Sequence, residues 1–439
     1  MVPKLVVVAL VSSSLVLSLG ASIVQPTYPA YAKQATIKWW SWTTNPQNVI
    51  KAFEKQYPSI HVVRENVGSG ATEYTKLLTV IKAGSGAPDL VQIEYDHLPQ
   101  FIATGGLRDL APLGANSYRP YFLPWTWNQV SQGHAVYAIP EDSGPTVLFY
   151  NATIFARYGL TVPRTWNDFA ADAAKLHKAN PHIYMSFFDS LAGHWFLSLA
   201  WAAGAHPFAR TGANSWKVNL TSAPILKVAR FWQTLIGSGE VQPIAVFTAD
   251  WARYLADGRY ASFVGAAWSP SYEIAPYVKT GAGWRAAPLP QWSTPTVDDG
   301  NWGGSTNAVT TQSTHPDAAL LFAAWINTHA QGLHDDVLPA NKGGRGLWPV
   351  DKYALEDEQL INQPDPILGG QRAGTIYATA SRAVDTSFQW SPWTNYFEDR
   401  YSAEANKAVK GQESWDQALA NMQTAVTRFA QQQGYAVTH

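Results

Sequence analysis

Apolar positions along this chain switch repeatedly between a period of two and a period near 3.6. Residues 36–40 alternate as a strand. Asn45-Pro46 then offers a helix cap and a first-turn proline. Val49, Ile50, Phe53 and Tyr57 recur at helical spacing as far as Pro58. Residues 60–65 (IHVVRE) form the next strand, residues 73–83 a helix stopped by Gly84, and residues 90–93 a buried strand. A further helix runs to Thr104 and stops at Gly105-Gly106. This strand–helix rhythm predicts an α/β fold with a mostly parallel sheet and helices on both faces.

A second block of the same kind begins near Thr146. TVLFY reads as a strand and ATIFARYG as a short helix ending at Gly159. Thr165 with Asp168 three residues on predicts a capped helix start, followed by apolar Phe169, Ala173 and Leu176. Helices also fit residues 192–203, 224–236 and 249–256. Residues 284–302 are rich in Pro, Trp, Gly and Asp and read as a linker. A strand (306–310) and a strong helix (316–328) follow. Two helices, 393–409 and 415–432, fill the tail, the second with Ser414 and Gln417 placed as a capping box. The chain therefore divides into two α/β lobes, with late segments returning to the first. Ligands of open α/β sheets bind beyond the carboxyl ends of strands. The ATIKWWSWTT stretch, with Trp39, Trp40 and Trp42, lies at such an end.

The chain's 439 residues exceed one ordinary core. Only 14% are charged, and the formal net charge is -1. That leaves no basic excess for nucleic acid or anionic membrane, and a weakly charged surface suits an extracellular protein, including one facing acidic medium. The absence of cysteine excludes disulfides, thiolate metal sites and an N-terminal lipid anchor. One Lys, an apolar run and the small-residue site Ala30-Tyr31-Ala32 read as a signal peptide cut after Ala32; an uncleaved membrane anchor is the alternative.

Catalytic signatures are missing. There is no Gly-x-Ser-x-Gly elbow, no Walker A loop, no Gly-x-Gly-x-x-Gly and no His-Glu-x-x-His. His334-Asp335-Asp336 reads as a solvated helix end and Asp298-Asp299-Gly300-Asn301 as a turn, not as metal sites. No catalytic residue, metal or cofactor is expected. The 20 Trp and 20 Tyr are the distinctive chemistry. Trp268, Trp302, Trp390 and Trp393 sit in Gly- or Pro-rich turns instead of periodic helix faces. A flat ring covers the C–H face of a sugar, whose hydroxyls then need carboxylates or amides at the side. Glu94 and Asp96 follow a buried strand, and Glu141-Asp142 lie at a block boundary. Each has a structural reading beside this one. The two acids after the strand fit helix capping, Trp39 or Trp42 fits core, and Trp195 fits helix packing.

Several blocks resemble the family 1 extracellular solute-binding proteins of ABC importers, the maltose-binding-protein-like group. They are, in chain order, GAPDLVQIEYDHLPQFIATGGLRDL, YNATIFARYGLTVPRTWNDFAADAAKL, DGRYASFVGAAW and WGGSTNAVTTQSTHPDAALLFAAWI. The resemblance implies a two-lobed, periplasmic-binding-protein-like fold of type II with a multi-segment hinge. It places the first lobe at 33–142 plus about 303–345 and the second at 143–302 plus about 346–439. Carried over, Trp40 matches the loop after the first strand, Asp96 a hydroxyl-binding acid and Asp142 the first crossover. Trp195 matches an aromatic of the second lobe, Trp268 the stacking Trp of the Gly-x-Trp block, Gly303-Gly304 the return segment and Trp393 the C-terminal aromatic stretch. Trp42 departs from the polar groups usual there.

The resulting expectation is a monomeric, exported receptor, periplasmic or at the cell surface. It binds a carbohydrate, most plainly an oligosaccharide, at Trp40, Trp42, Glu94, Asp96, Asp142, Trp195, Trp268, Trp302, Gly303, Gly304 and Trp393. It delivers that ligand to the membrane permease subunits of an ABC importer. Two rivals stand beside it: a receptor for a cation such as a polyamine or betaine, and a secreted glycosidase.

Overall fold

The computed structural model describes residues 23–438. The expected leader falls on residues 1–22, which lie outside the described residues, and on 23–32, which are described.

The first sheet has the order Ile60–Glu65, Ala35–Trp40, Leu90–Glu94, Ser305–Val309, Ala138–Pro140. Its first three strands are parallel, and Ser305–Val309 runs antiparallel to both neighbours. Along the strand Ala35–Trp40, Ala35, Ile37 and Trp39 are buried while Thr36 and Lys38 are exposed, the alternation of a pleated strand. A second, three-stranded sheet joins Ser262–Ala266, Thr146–Asn151 and Trp284–Pro288, all antiparallel. The fold is thus α/β and two-lobed.

Most helix limits follow the periodicity. The capping box at Thr165 and Asp168 forms, and Gly84 and Gly159 end their helices in the left-handed conformation. Ser414 caps the helix Trp415–Gln432. Four expectations fail. The sheets are not mostly parallel: two of four pairings in the first and both in the second are antiparallel. Asp335 and Asp336 are buried, not a solvated helix end. Residues 284–302 are not all linker: Trp284–Pro288 is a strand, with Trp284 packed edge-on against Phe263 at 5.2 Å. The turn-forming residues that suggested a linker are concentrated after Pro288. Asn45 does not cap the first helix, which begins at Gln47 with no side-chain cap. Its φ is 48°, and its amide donates instead to the carbonyls of Ala340 (2.9 Å) and Gly344 (2.8 Å).

Two segments run between the sheets. Residues 141–145 connect Ala138–Pro140 to Thr146–Asn151, and residues 289–304 connect Trp284–Pro288 back to Ser305–Val309. They lie side by side: Trp302 N–H donates to Gly144 O at 2.8 Å, and Gly144 N–H to Asn301 Oδ1 at 2.7 Å. Trp348 lies against them, its carbonyl accepting from Ser143 N–H at 2.9 Å. A Cβ on Gly144 would stand 1.9 Å from Trp302 O, so only glycine permits this approach.

No helix among the described residues is long and apolar enough to cross a membrane.

Candidate functional site

Glu94 ends the buried strand Leu90–Glu94, and Asp96 and His97 follow at its carboxyl end, before the helix Leu98–Ala103. This is where an open α/β sheet presents its ligand groups. Asp96 and His97 form an ion pair, Oδ1 to Nδ1, of 2.9 Å. Tyr74, from the helix Ala71–Ala83, donates its hydroxyl to Glu94 Oε2 at 2.9 Å and lays its ring on His97, centroids 4.5 Å apart. Trp42 packs edge-on against Tyr74 at 6.3 Å.

The other lobe answers with a second pair. His194 stands in the first turn of Gly193–Trp201, and Glu398 projects from Thr394–Val409. His194 Nδ1 is 3.3 Å from Glu398 Oε1, and Gly193 N–H donates to Glu398 Oε2 at 2.7 Å. One donor atom from each of Asp96, His194 and Glu398 falls within a 4.8 Å circle, so the two pairs meet between the lobes.

Trp302 and Trp268 wall this cluster. The Trp302 ring lies near-parallel to His194 at 6.4 Å, and Trp268 is 4.8 Å from Trp302. Trp268 Nε1 donates to Trp302 O at 3.2 Å. Gly303 has φ 66°, and a Cβ there would stand 3.6 Å from Glu94 Oε1 and 3.4 Å from Trp268 Cζ2. Those are ordinary contact distances, so it is the left-handed backbone, not the space, that favours glycine here.

The electrostatics follow from the pairing. Burial alone would push His194 down, but Glu398, with Asp96 and Glu94 beyond it, lifts it to about 10. Burial likewise opposes the charge on His97, and Asp96 overcomes it, raising the imidazole. Asp96 moves the other way: His97 outweighs burial and holds it below its usual range. Glu94 is raised by burial and by Asp96. The site thus sets two acid–imidazole pairs beside Glu94, an acid that burial and Asp96 make harder to ionise. The same oxygen and nitrogen atoms are near enough to hold a cation, but each imidazole already faces a carboxylate. What remains is a set of oriented donors and acceptors next to indole faces, suited to hydroxyl groups.

The structure therefore brings Trp42, Glu94, Asp96, Trp268, Trp302 and Gly303 together. Gly304 adjoins them, packed where a Cβ would meet Asp142 O at 2.9 Å. Asp142 itself serves the crossing segments, its Oδ1 accepting from Ser305 N–H at 2.7 Å. Trp40 lies apart: its Nε1 donates to Glu65 Oε2 at 2.9 Å, and Lys76 covers its ring at 4.5 Å. Trp195 is fully buried, donating to Val264 O at 3.1 Å among Phe188 and Trp232. Trp393 is core too, between Trp216 (5.4 Å) and Tyr435 (5.2 Å). The reason is angular. A helix turns about 100° per residue, so His194 faces the cleft where Trp195 faces the core. Trp393 and Glu398 stand roughly 140° apart on one helix course by the same pitch.

Tyr74, His97, His194 and Glu398 were not expected from the sequence. His97 had a signal, its adjacency to Asp96 at a strand end. Glu398 had none, because its partner is 204 positions away.

Residues 39–332 match the family model for bacterial extracellular solute-binding proteins. Among curated relatives, an arabinooligosaccharide-binding protein of Halalkalibacterium halodurans is 22% identical over 328 residues, which is 71% of this chain and 65% of that protein. Among solved structures, the ABC-transporter-associated binding protein of B. animalis subsp. lactis Bl-04, in complex with beta-1,6-galactobiose, is 29% identical. It superposes with a TM-score of 0.80, over 93% of this chain and 100% of that one. The galacto-N-biose-/lacto-N-biose I-binding protein of Bifidobacterium longum shares the fold at 23% identity and TM-score 0.79, over 93% and 100% of the two chains. With its two lobes, crossing segments and family match across two thirds of its length, the chain belongs to the bacterial extracellular solute-binding proteins.

Proposed function

We propose that this protein captures a neutral oligosaccharide between its lobes and delivers it to the permease of an ABC importer. One observation carries the reading: Asp96–His97 from one lobe and His194–Glu398 from the other converge beside Trp268 and Trp302. A sugar ring fits such a place, since its hydroxyls both donate and accept while its C–H face covers an indole. A ligand touching both halves favours the closed arrangement in proportion to those added contacts. The reading takes the lobes as 33–142 plus about 303–345 and 143–302 plus about 346–439. It takes the protein as a monomer outside the cytoplasmic membrane, with no catalytic step. The bound sugars of the relatives, beta-1,6-galactobiose, lacto-N-biose and arabinooligosaccharides, are the first ligands to try.

A polyamine receptor needs uncompensated negative charge, which the imidazole partners offset; a betaine needs an aromatic cage for its quaternary ammonium. Thermal shift with those three sugars, spermidine and glycine betaine tests the choice. A ligand at a hundred times its Kd stabilises by about 2.7 kcal/mol. A sugar response supports the proposal; a response to the cations alone overturns it. Intact oligosaccharide after long incubation separates the receptor from a glycosidase, which would release product.

A further inference from the structure

The sequence alone places the leader's cut after Ala32. Residues 23–34, however, form a strap without regular secondary structure that is bonded to the first lobe. Pro26 is buried, and Tyr28 lies between the rings of Tyr118 (6.5 Å) and His329 (6.0 Å). The Tyr28 hydroxyl is 2.8 Å from Thr328 Oγ1. Thr328 spends its only hydroxyl proton on Ala324 O at 2.6 Å, so Tyr28 is the donor. The Gln25 side chain accepts from Ala330 N–H at 3.3 Å, one of the free donors that open the helix Ala330–Val337. Gln25 O accepts from Tyr121, and Tyr31 O accepts from Ser59 Oγ at 2.9 Å. These contacts tie the strap to residues far apart in sequence, from Ser59 through Tyr121 to Ala330.

A leader is removed as the chain crosses the membrane, and the released piece is no part of the mature protein. A cut after Ala32 would strip every one of these contacts and uncover Thr328 and the face of Tyr118. The sequence offers an earlier place. The apolar run ends at Leu19, and Gly20-Ala21-Ser22, all small, follow at once. We propose that processing occurs at the Gly20-Ala21-Ser22 step and that residues 23–32 stay in the exported protein as a structural strap of the first lobe. The Ala30-Tyr31-Ala32 triplet is then part of that strap and not a cut site.

The full chain, expressed in a secreting bacterial host, gives the test by intact mass and N-terminal sequencing of the exported protein. A start at Ser22 or Ile23 is expected. A start at Lys33, or an uncut chain, overturns the assignment. Thermal unfolding then tests the strap independently. Tyr28→Ala in the chain beginning at Ile23 is expected to lower Tm by about 2 °C or more. A chain beginning at Lys33 is expected to lose more, or not to fold. Equal Tm for all three would overturn the structural role. Neither readout depends on which ligand the cleft takes.

Discussion

The imidazole of His194 stands 3.3 Å from the Glu398 carboxylate, although the two residues come from separate helices of the second lobe. The pairing fixes a carboxylate acceptor and leaves the second ring nitrogen as a donor beside Trp302. Because Glu398 holds the imidazole protonated to about 10, the donor persists through neutral pH. Sugar affinity should be flat between pH 6 and 8. In Glu398→Gln the His194 pKa should fall toward the ordinary value of about 6.5, and affinity should then drop as pH rises through it. Titration of the His194 ring by NMR, with calorimetry at three pH values, checks both. An unmoved His194 pKa would show that Glu398 is not its controlling partner.

Trp268 is half-buried and faces Trp302 in the cleft wall. Trp268→Ala should weaken oligosaccharide binding by about 1.5–3 kcal/mol, the burial lost with its face. Trp195→Ala should act on folding instead, costing about 3–5 kcal/mol of stability, since that ring is fully buried in the second lobe's core. Calorimetry and denaturant unfolding on the two variants should give opposite patterns.

Buried carboxyls give stability a definite pH sign. Burial, with Glu94 and Glu141 adding, pushes Glu73 up to about 8. Burial and Glu141 do the same to Asp142, again to about 8. Burial lifts Glu273 to about 8 and Asp351 to about 7. Such groups bind protons more tightly folded than unfolded, where their values are about 4. Their stabilising protonation is complete below the unfolded value and is lost as pH rises through 7 to 8. Tm should therefore fall from pH 5 to pH 8.5. Glu73→Gln, neutral throughout, should flatten the fall. A Tm that climbs over this range would refute the account.

Arg345 is completely buried and pairs with Glu141 at 2.9 Å and with Asp336. Its backbone carbonyl accepts from Tyr272 at 2.7 Å and Thr44 at 3.2 Å, so both lobes meet on one residue. Arg345→Met strands two buried acids. It should cost about 3–5 kcal/mol, measured by denaturant unfolding at neutral pH. The loss should shrink in acid, where Glu141 and Asp336, both raised by burial, take up protons.

The sequence by itself determined the α/β rhythm, most helix limits and the carboxyl-end position of Glu94 and Asp96. These are properties of periodicity, capping residues and strand order, which act over a few neighbours. It also singled out Trp268 and Trp302, because a large ring in a glycine-rich turn has no periodic face to occupy. Only the tertiary structure decided which neighbour points where. Trp195 and His194 differ by one helical step, and one is core while the other is cleft. Trp40 was claimed by Glu65 on the adjacent strand and by Lys76 above it. Glu398 reached His194 through a helix returning from the far end of the chain. Local pattern sets what an element is; the packing of distant elements sets which of its side chains meet, because contact depends on rotation and register that no single segment encodes.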